Sequence, residues 1–351
     1  MASATSCPSY AKALRIYPMA YPPPSLLLLA SFTYVPWKEA VLFFSLFSIV
    51  VLIAALVLLA QGKSLLTGTL LVGFGLAMAP VHSGVHQANP NTLVVGLLLG
   101  GSALLTCAPV LSGVLIGLAF CLKPQVAFLF VLFCWCRRSW PAVWASTTTI
   151  ATVFAASFGW LALHHVSWLA SYRAQMPAFA AANSFHDAGL APFQLLNLQV
   201  VGWQITHNIA SANVIAWGLF FALLTLGAVQ FIRRESSVVT ALALVSVLTL
   251  MPVYQRYYTA ALLLLVFAWA VDAWPRWRAK TAIALLLPLV VPLVAIGQKS
   301  PLIAGHFANS RFCQIVLWPH MIWLELALAA LLIVELCAVS REPLTLGIRE
   351  R

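Results

Sequence analysis

Three short stretches of this chain put chemically capable side chains beside apolar runs. His86-Gln87-Ala88-Asn89-Pro90-Asn91 gathers three amides and an imidazole at the start of one such run. Amides there can bind sugar hydroxyls or phosphate oxygens, the helix dipole favouring an anion, or they can simply cap the helix. Lys123 closes the run Gly117-Leu-Ala-Phe-Cys-Leu and is followed by Pro124. A cation at that depth either snorkels to the interface or pairs with an anion, and a lipid-linked phosphate has the right chemistry. Arg256 stands among Tyr254, Tyr257 and Tyr258, which is either an aromatic belt or a setting for a phosphate or stacked sugar. Gln87, Asn89, Asn91, Lys123, Arg256 and Tyr257 are therefore the candidate binding residues.

Carboxylates that could act as a base are scarce. Glu39 begins an apolar run, Asp187 lies in a long polar connection, and Glu325 falls inside the last apolar run. That scarcity argues against a paired-carboxylate glycosidase and against a carboxylate cage for Mg²⁺ or Ca²⁺. Asp187 is left as the candidate general base. His82 and His86 have the i, i+4 spacing of a zinc pair, but no third ligand accompanies them and Gly84 between them weakens a helix. The sequence therefore implies no metal and no other cofactor.

The elements that must position these residues are membrane helices. Of the 351 residues, 62% are hydrophobic and 8% charged, whereas a soluble domain carries about 25% charged residues. Runs near the length needed to span about 30 Å of hydrocarbon recur along the chain, and a helix satisfies its own backbone there. A β-barrel would need alternation, which Leu26 to Leu29 and Leu262 to Leu265 lack. Eleven segments are expected, near residues 38–60, 64–81, 91–107, 109–122, 124–136, 141–163, 212–232, 237–252, 258–274, 281–297 and 314–338. The fold class is thus an all-α polytopic transmembrane bundle of about ten or eleven spanning or half-spanning helices. Residues 109–136 are interrupted by Lys123-Pro124 and read either as two crossings or as a broken pair with a polar turn.

The net charge of +11 is spread in small groups between apolar runs, which marks topology and not nucleic-acid binding. Lys63, Arg137, Arg138, Arg233, Arg234, Arg276, Arg278, Lys280 and the tail 341–351 fall on one face, which the positive-inside tendency makes cytoplasmic. The opposite face then receives residues 1–37 and the long connections 164–211 and 298–313, on a transmembrane domain of residues 38–340. All eight histidines map to that outer face or its margin.

In order along the chain, Tyr21-Pro22-Pro23, His86-Gln87-Ala88-Asn89, Ser112-Gly113 through Lys123-Pro124-Gln125, Arg137-Arg138-Ser139-Trp140 and Pro252-Val-Tyr-Gln-Arg256-Tyr257 resemble glycosyltransferase family 87. These are bacterial inner-membrane enzymes of the GT-C type. The resemblance implies transfer of a hexose, often mannose, from a polyprenyl-phosphate donor to a lipid or glycan acceptor at the outer face, without a metal. It also implies a spanning helix and an acid-bearing loop ahead of Tyr21. Residues 1–37 carry Lys12 and Arg15 and no acid, so the expectation is a chain lacking that helix and loop, through a late start, a truncation or loss of activity. Thr259 stands where the resemblance implies an acid in many relatives. The rival readings are a flippase or transporter of lipid-linked sugar, for which no inverted repeat is found, and a non-catalytic pseudoenzyme.

Overall fold

The computed structural model describes residues 22–182, 195–232, 237–253, 255–290, 310–317 and 319–339. These residues are helical throughout, apart from turns and an isolated antiparallel bridge between Leu195 and Arg256. A short helix α1 (Pro23–Leu29) follows the proline run and continues as a 3-10 turn to Tyr34. Among the described residues, four helices are long and apolar enough to cross a membrane: α2 (Trp37–Ala60), α8 (Trp140–Leu163), α11 (Ile209–Ile232) and α15 (His320–Val339). A fifth crossing is made if α3 (Leu65–Ala77) and α4 (Ala79–His86), bent by 49°, count as one broken span.

The remaining apolar helices are about half as long: α5 (Asn91–Leu104), α6 (Pro109–Leu122), α7 (Pro124–Cys136) and α12 (Val238–Leu250). A 3-10 turn at Tyr257–Leu263 leads into α13 (Leu264–Asp272), and α14 (Trp277–Val290) precedes α15. Proline sets several of these starts, with Pro80, Pro109 and Pro124 in the first turns of α4, α6 and α7. A proline there wastes no amide, whereas inside a longer helix it would break the ladder. The connection 164–211, expected as loop, contains α9 (Trp168–Ala182) and α10 (Gln199–Thr206) among its described parts. Residues 195–201 within it are buried.

Close approaches between small residues fix the direction and height of each helix. A Cβ on Gly96 would meet the backbone of Leu52, and one on Gly100 would meet Ala55, so α2 and α5 run parallel. A Cβ on Gly113 would lie 2.3 Å from the Ala142 carbonyl, and one on Gly117 would lie 2.9 Å from that of Ser146, so α6 and α8 also run parallel. Helix α5 is antiparallel to α6, since Ser112 Oγ donates to the Gly101 carbonyl (2.6 Å) while Lys123 reaches Asn91 at their other ends.

Parallel α6 and α8 with α7 between them make residues 109–136 a helical hairpin. It rises from the basic end and returns to it, with Lys123 at the tip. Fourteen residues of α6 reach about 21 Å, against about 36 Å for the 24 of α8. The hairpin is thus built of two half-length apolar helices with a polar turn at Lys123. By the pairing of Gly96 with Leu52, Asn91 lies level with the middle of α2, about 15 Å from Trp37 at that helix's far end.

The basic end is tied by ion pairs. Lys63 pairs with Asp272 at the end of α13. Arg276 and Arg278 clamp the two oxygens of the buried Glu335 at 2.5 and 2.7 Å, joining the start of α14 to the end of α15. Both pairs connect elements far apart in sequence at one level of the bundle.

Candidate functional site

Three chain breaks meet at the level where the half-length helices end. The first is the turn between α4 and α5. Ala88 takes a left-handed conformation (φ 45°), and the Asn89 amide donates to the Gly84 carbonyl at 2.9 Å, closing α4. Gly84 is needed there because a Cβ would lie 2.4 Å from Thr92 Oγ1. Asn89 Oδ1 then accepts the Asn91 amide at 3.0 Å, taking up one of the donors a helix start leaves unpaired. Capping thus falls to Asn89, and the Asn91 side chain is left for other use.

Asn91 is fully buried. Its Nδ2 donates to the carbonyl of Tyr258 at 3.1 Å, which turns Oδ1 toward the second break. There Lys123 Nζ donates to Asn91 Oδ1 at 3.3 Å and lies 5.0 Å from the centroid of the Tyr258 ring. Lys123 is 7% exposed, so it does not snorkel to solvent as a surface lysine would.

The third break lies between α12 and the 3-10 turn. Thr259 Oγ1 lies 3.2 Å from Gln255 Oε1 and 3.5 Å from Asn91 Oδ1, and both Thr259 and Gln255 are buried. Arg256, half-buried, stands close enough for its charge to act on Lys123. The stretch 195–199 closes over this break. The Leu196 amide donates to the Gln255 carbonyl at 2.9 Å and the Leu198 amide to the Met251 carbonyl at 3.1 Å. Gln199 Nε2 donates to the Pro252 carbonyl at 3.0 Å, and Gln199 Oε1 accepts from Asn197 Nδ2 at 3.0 Å.

Of the expected site residues, Asn91, Lys123 and Arg256 come together. Tyr257 is adjacent, its hydroxyl buried with no hydrogen-bond partner among the described residues. Gln87 does not join them: it is exposed and its Nε2 reaches only Ser83 Oγ, at 3.3 Å. Asn89 serves the backbone. Asp187 lies outside the described residues. Asn197 escaped the sequence reading, and Gln255 and Thr259 entered it only through the family resemblance and with no binding role, because an amide or hydroxyl inside an apolar stretch carries no pattern until another break in the chain is packed against it.

The cluster has more donors than acceptors. Lys123 carries three protons and spends one on Asn91. Gln255 Nε2 is buried with no partner among the described residues, and the acceptors in the same condition here are Asn197 Oδ1 and the Tyr257 hydroxyl, which is also a donor. No ion pair among the described residues includes Lys123, and none of them form a group of three His, Cys, Asp or Glu side chains that could hold a metal. Such a constellation suits a ligand that brings oxygen acceptors and negative charge of its own.

A profile of glycosyltransferase family 87 matches residues 20–253, about two thirds of the chain. The chain belongs to this family. No curated protein and no solved structure matches it. The matched region holds all three amides of the first turn, the Lys123 hairpin and Asp187, and it ends just ahead of Gln255 and Arg256. By family the protein is a membrane glycosyltransferase, and its apolar helices agree with a multi-pass bundle of the GT-C kind.

Proposed function

We propose that the protein transfers a hexose, mannose-like, from a polyprenyl-phosphate donor to a lipid or glycan acceptor at the end of the bundle opposite its basic cluster, the extracytoplasmic side of a bacterial inner membrane. The observation that carries this reading is Lys123: a buried cation whose acceptor is a neutral amide, with the Arg256 charge beside it. A buried ammonium whose hydrogen-bond acceptor is neutral is costly until an anion joins it. A donor whose leaving group is a lipid phosphate supplies that anion, and its charge grows as the glycosidic bond breaks.

The step balances with one base. The acceptor hydroxyl oxygen forms a bond to the sugar C1, and the bond from C1 to the phosphate oxygen breaks with its electron pair going to the phosphate. The hydroxyl proton passes to a carboxylate. Asp187 is the residue proposed for that role. Lys123 and Arg256 would hold the departing phosphate, with Asn91 positioning the ammonium and Tyr257 alongside.

The test is transfer of radiolabelled hexose from a polyprenyl-phosphate donor in membranes carrying the full chain. Turnover that disappears in Lys123→Ala while the protein still accumulates is the expected result. Undiminished transfer by that variant would overturn the phosphate role. Translocation of the donor without cleavage of its glycosidic bond would replace the enzyme by a transporter.

A further inference from the structure

The cation at the hairpin tip is one donor of this cluster, and a second is held beside it by Gln255 and Thr259, to which the sequence alone assigns no binding role. Thr259 is the hub. Its hydroxyl lies within reach of Asn91 Oδ1 (3.5 Å), which accepts from Lys123, and of Gln255 Oε1 (3.2 Å). With Gln255 Oε1 turned to Thr259, Nε2 faces away from it, and its two protons have no partner among the described residues although the side chain is 1% exposed. Leaving a buried amide donor unpaired is costly, and native chains seldom keep one without a ligand or water to meet it. The backbone of Gln255 is fixed as well, since its carbonyl accepts the Leu196 amide. Its side chain is therefore pinned at both ends and cannot swing out to find another acceptor.

We infer that Gln255, oriented by Thr259, is a second binding donor of the site and gives its amide protons to an oxygen of the same phosphate-bearing ligand that Lys123 pairs with. This rests on the reading of Lys123 as a phosphate partner. Thr259 touches no ligand; its single hydroxyl proton, given to the nearer acceptor Gln255 Oε1 at 3.2 Å, makes it a positioning residue for Gln255.

The full-length protein in detergent micelles is titrated with farnesyl phosphate and, separately, with farnesol, reading intrinsic tryptophan fluorescence. The wild type prefers the phosphate. Gln255→Leu lowers farnesyl phosphate affinity about tenfold, the effect of losing one hydrogen bond to a charged group, and leaves farnesol unchanged. Gln255→Glu lowers it further by placing a negative charge against the phosphate. Thr259→Val weakens phosphate binding several-fold and Thr259→Ser restores it, which a loss of packing alone would not do.

If Lys123→Met abolishes the preference while Gln255→Leu and Gln255→Glu keep it, the inference fails and the phosphate reading stands. If Lys123→Met also keeps it, both fail. Size-exclusion profiles of each variant identify misfolding, and Gln255→Asn, which keeps the amide but shortens its reach, provides the folded control in which affinity must still fall.

Discussion

Asn91 and Lys123, 32 residues apart in sequence, occupy the facing ends of two antiparallel half-length helices and share a hydrogen bond at 3.3 Å. Neither helix reaches the far end of the bundle, so the bond lies at depth and not at a surface. The same amide bonds the Tyr258 carbonyl, tying both helices to the 3-10 turn that follows the third break.

Losing the ammonium should matter far more to chemistry than to folding. Lys123→Ala is expected to lower hexose transfer by about 10²–10³-fold, the usual effect of removing one donor from a developing oxyanion. Radiolabelled transfer in membranes, normalised to protein level, measures it.

Asn91→Ala should damage both. It strands the Tyr258 carbonyl and removes the acceptor of Lys123, at a cost of about 1–3 kcal/mol for each buried group left unpaired. Thermal unfolding in detergent should show a lower midpoint than wild type, and transfer should fall with it.

The hairpin height depends on glycine. Gly113→Leu drives a side chain into the Ala142 carbonyl, which even a Cβ would approach to 2.3 Å, so α6 must move off α8 and carry Lys123 with it. Overpacking of this kind costs about 1–3 kcal/mol. Gly159→Ala, in the same helix α8 but with nothing within 4 Å of its Cβ, should be neutral or slightly stabilising. A thermal-shift comparison of the two variants separates packing from composition.

At the basic end, Glu335→Leu leaves Arg276 and Arg278 without the carboxylate that joins α14 to α15. The loss should reach up to about 3 kcal/mol, at the low end for a broken buried pair because Arg276 is still half exposed. Unfolding midpoints would register this, and transfer by the surviving folded protein should be intact.

Orientation can be checked independently. Alkaline phosphatase fused after His165 should be active, and green fluorescent protein fused after Arg138 should fluoresce, if the basic end is cytoplasmic. The reverse pattern would put the Lys123 cluster on the inner side.

The sequence by itself determined that the chain is a helical membrane bundle, where its apolar segments fall, and that Asn91, Lys123 and Arg256 were worth attention. Apolar length and charge placement are local properties, and bilayer thickness converts them directly into helices and ends. Most helices lie within a few residues of the expected segments, from Trp37–Ala60 to His320–Val339. Tertiary structure alone decided that residues 109–136 fold back as a hairpin, because that depends on which helix Gly113 and Gly117 lie against. It alone separated Asn89, which caps, from Asn91, which reaches Lys123, since both amides look alike at a helix start. It alone set Gln255 and Thr259, about 170 residues further along the chain, against Asn91. A buried hydroxyl or amide has no periodicity to read. What it does is set by the partner opposite, and three distant breaks in the chain supply those partners only when the helices that end there are packed to one height.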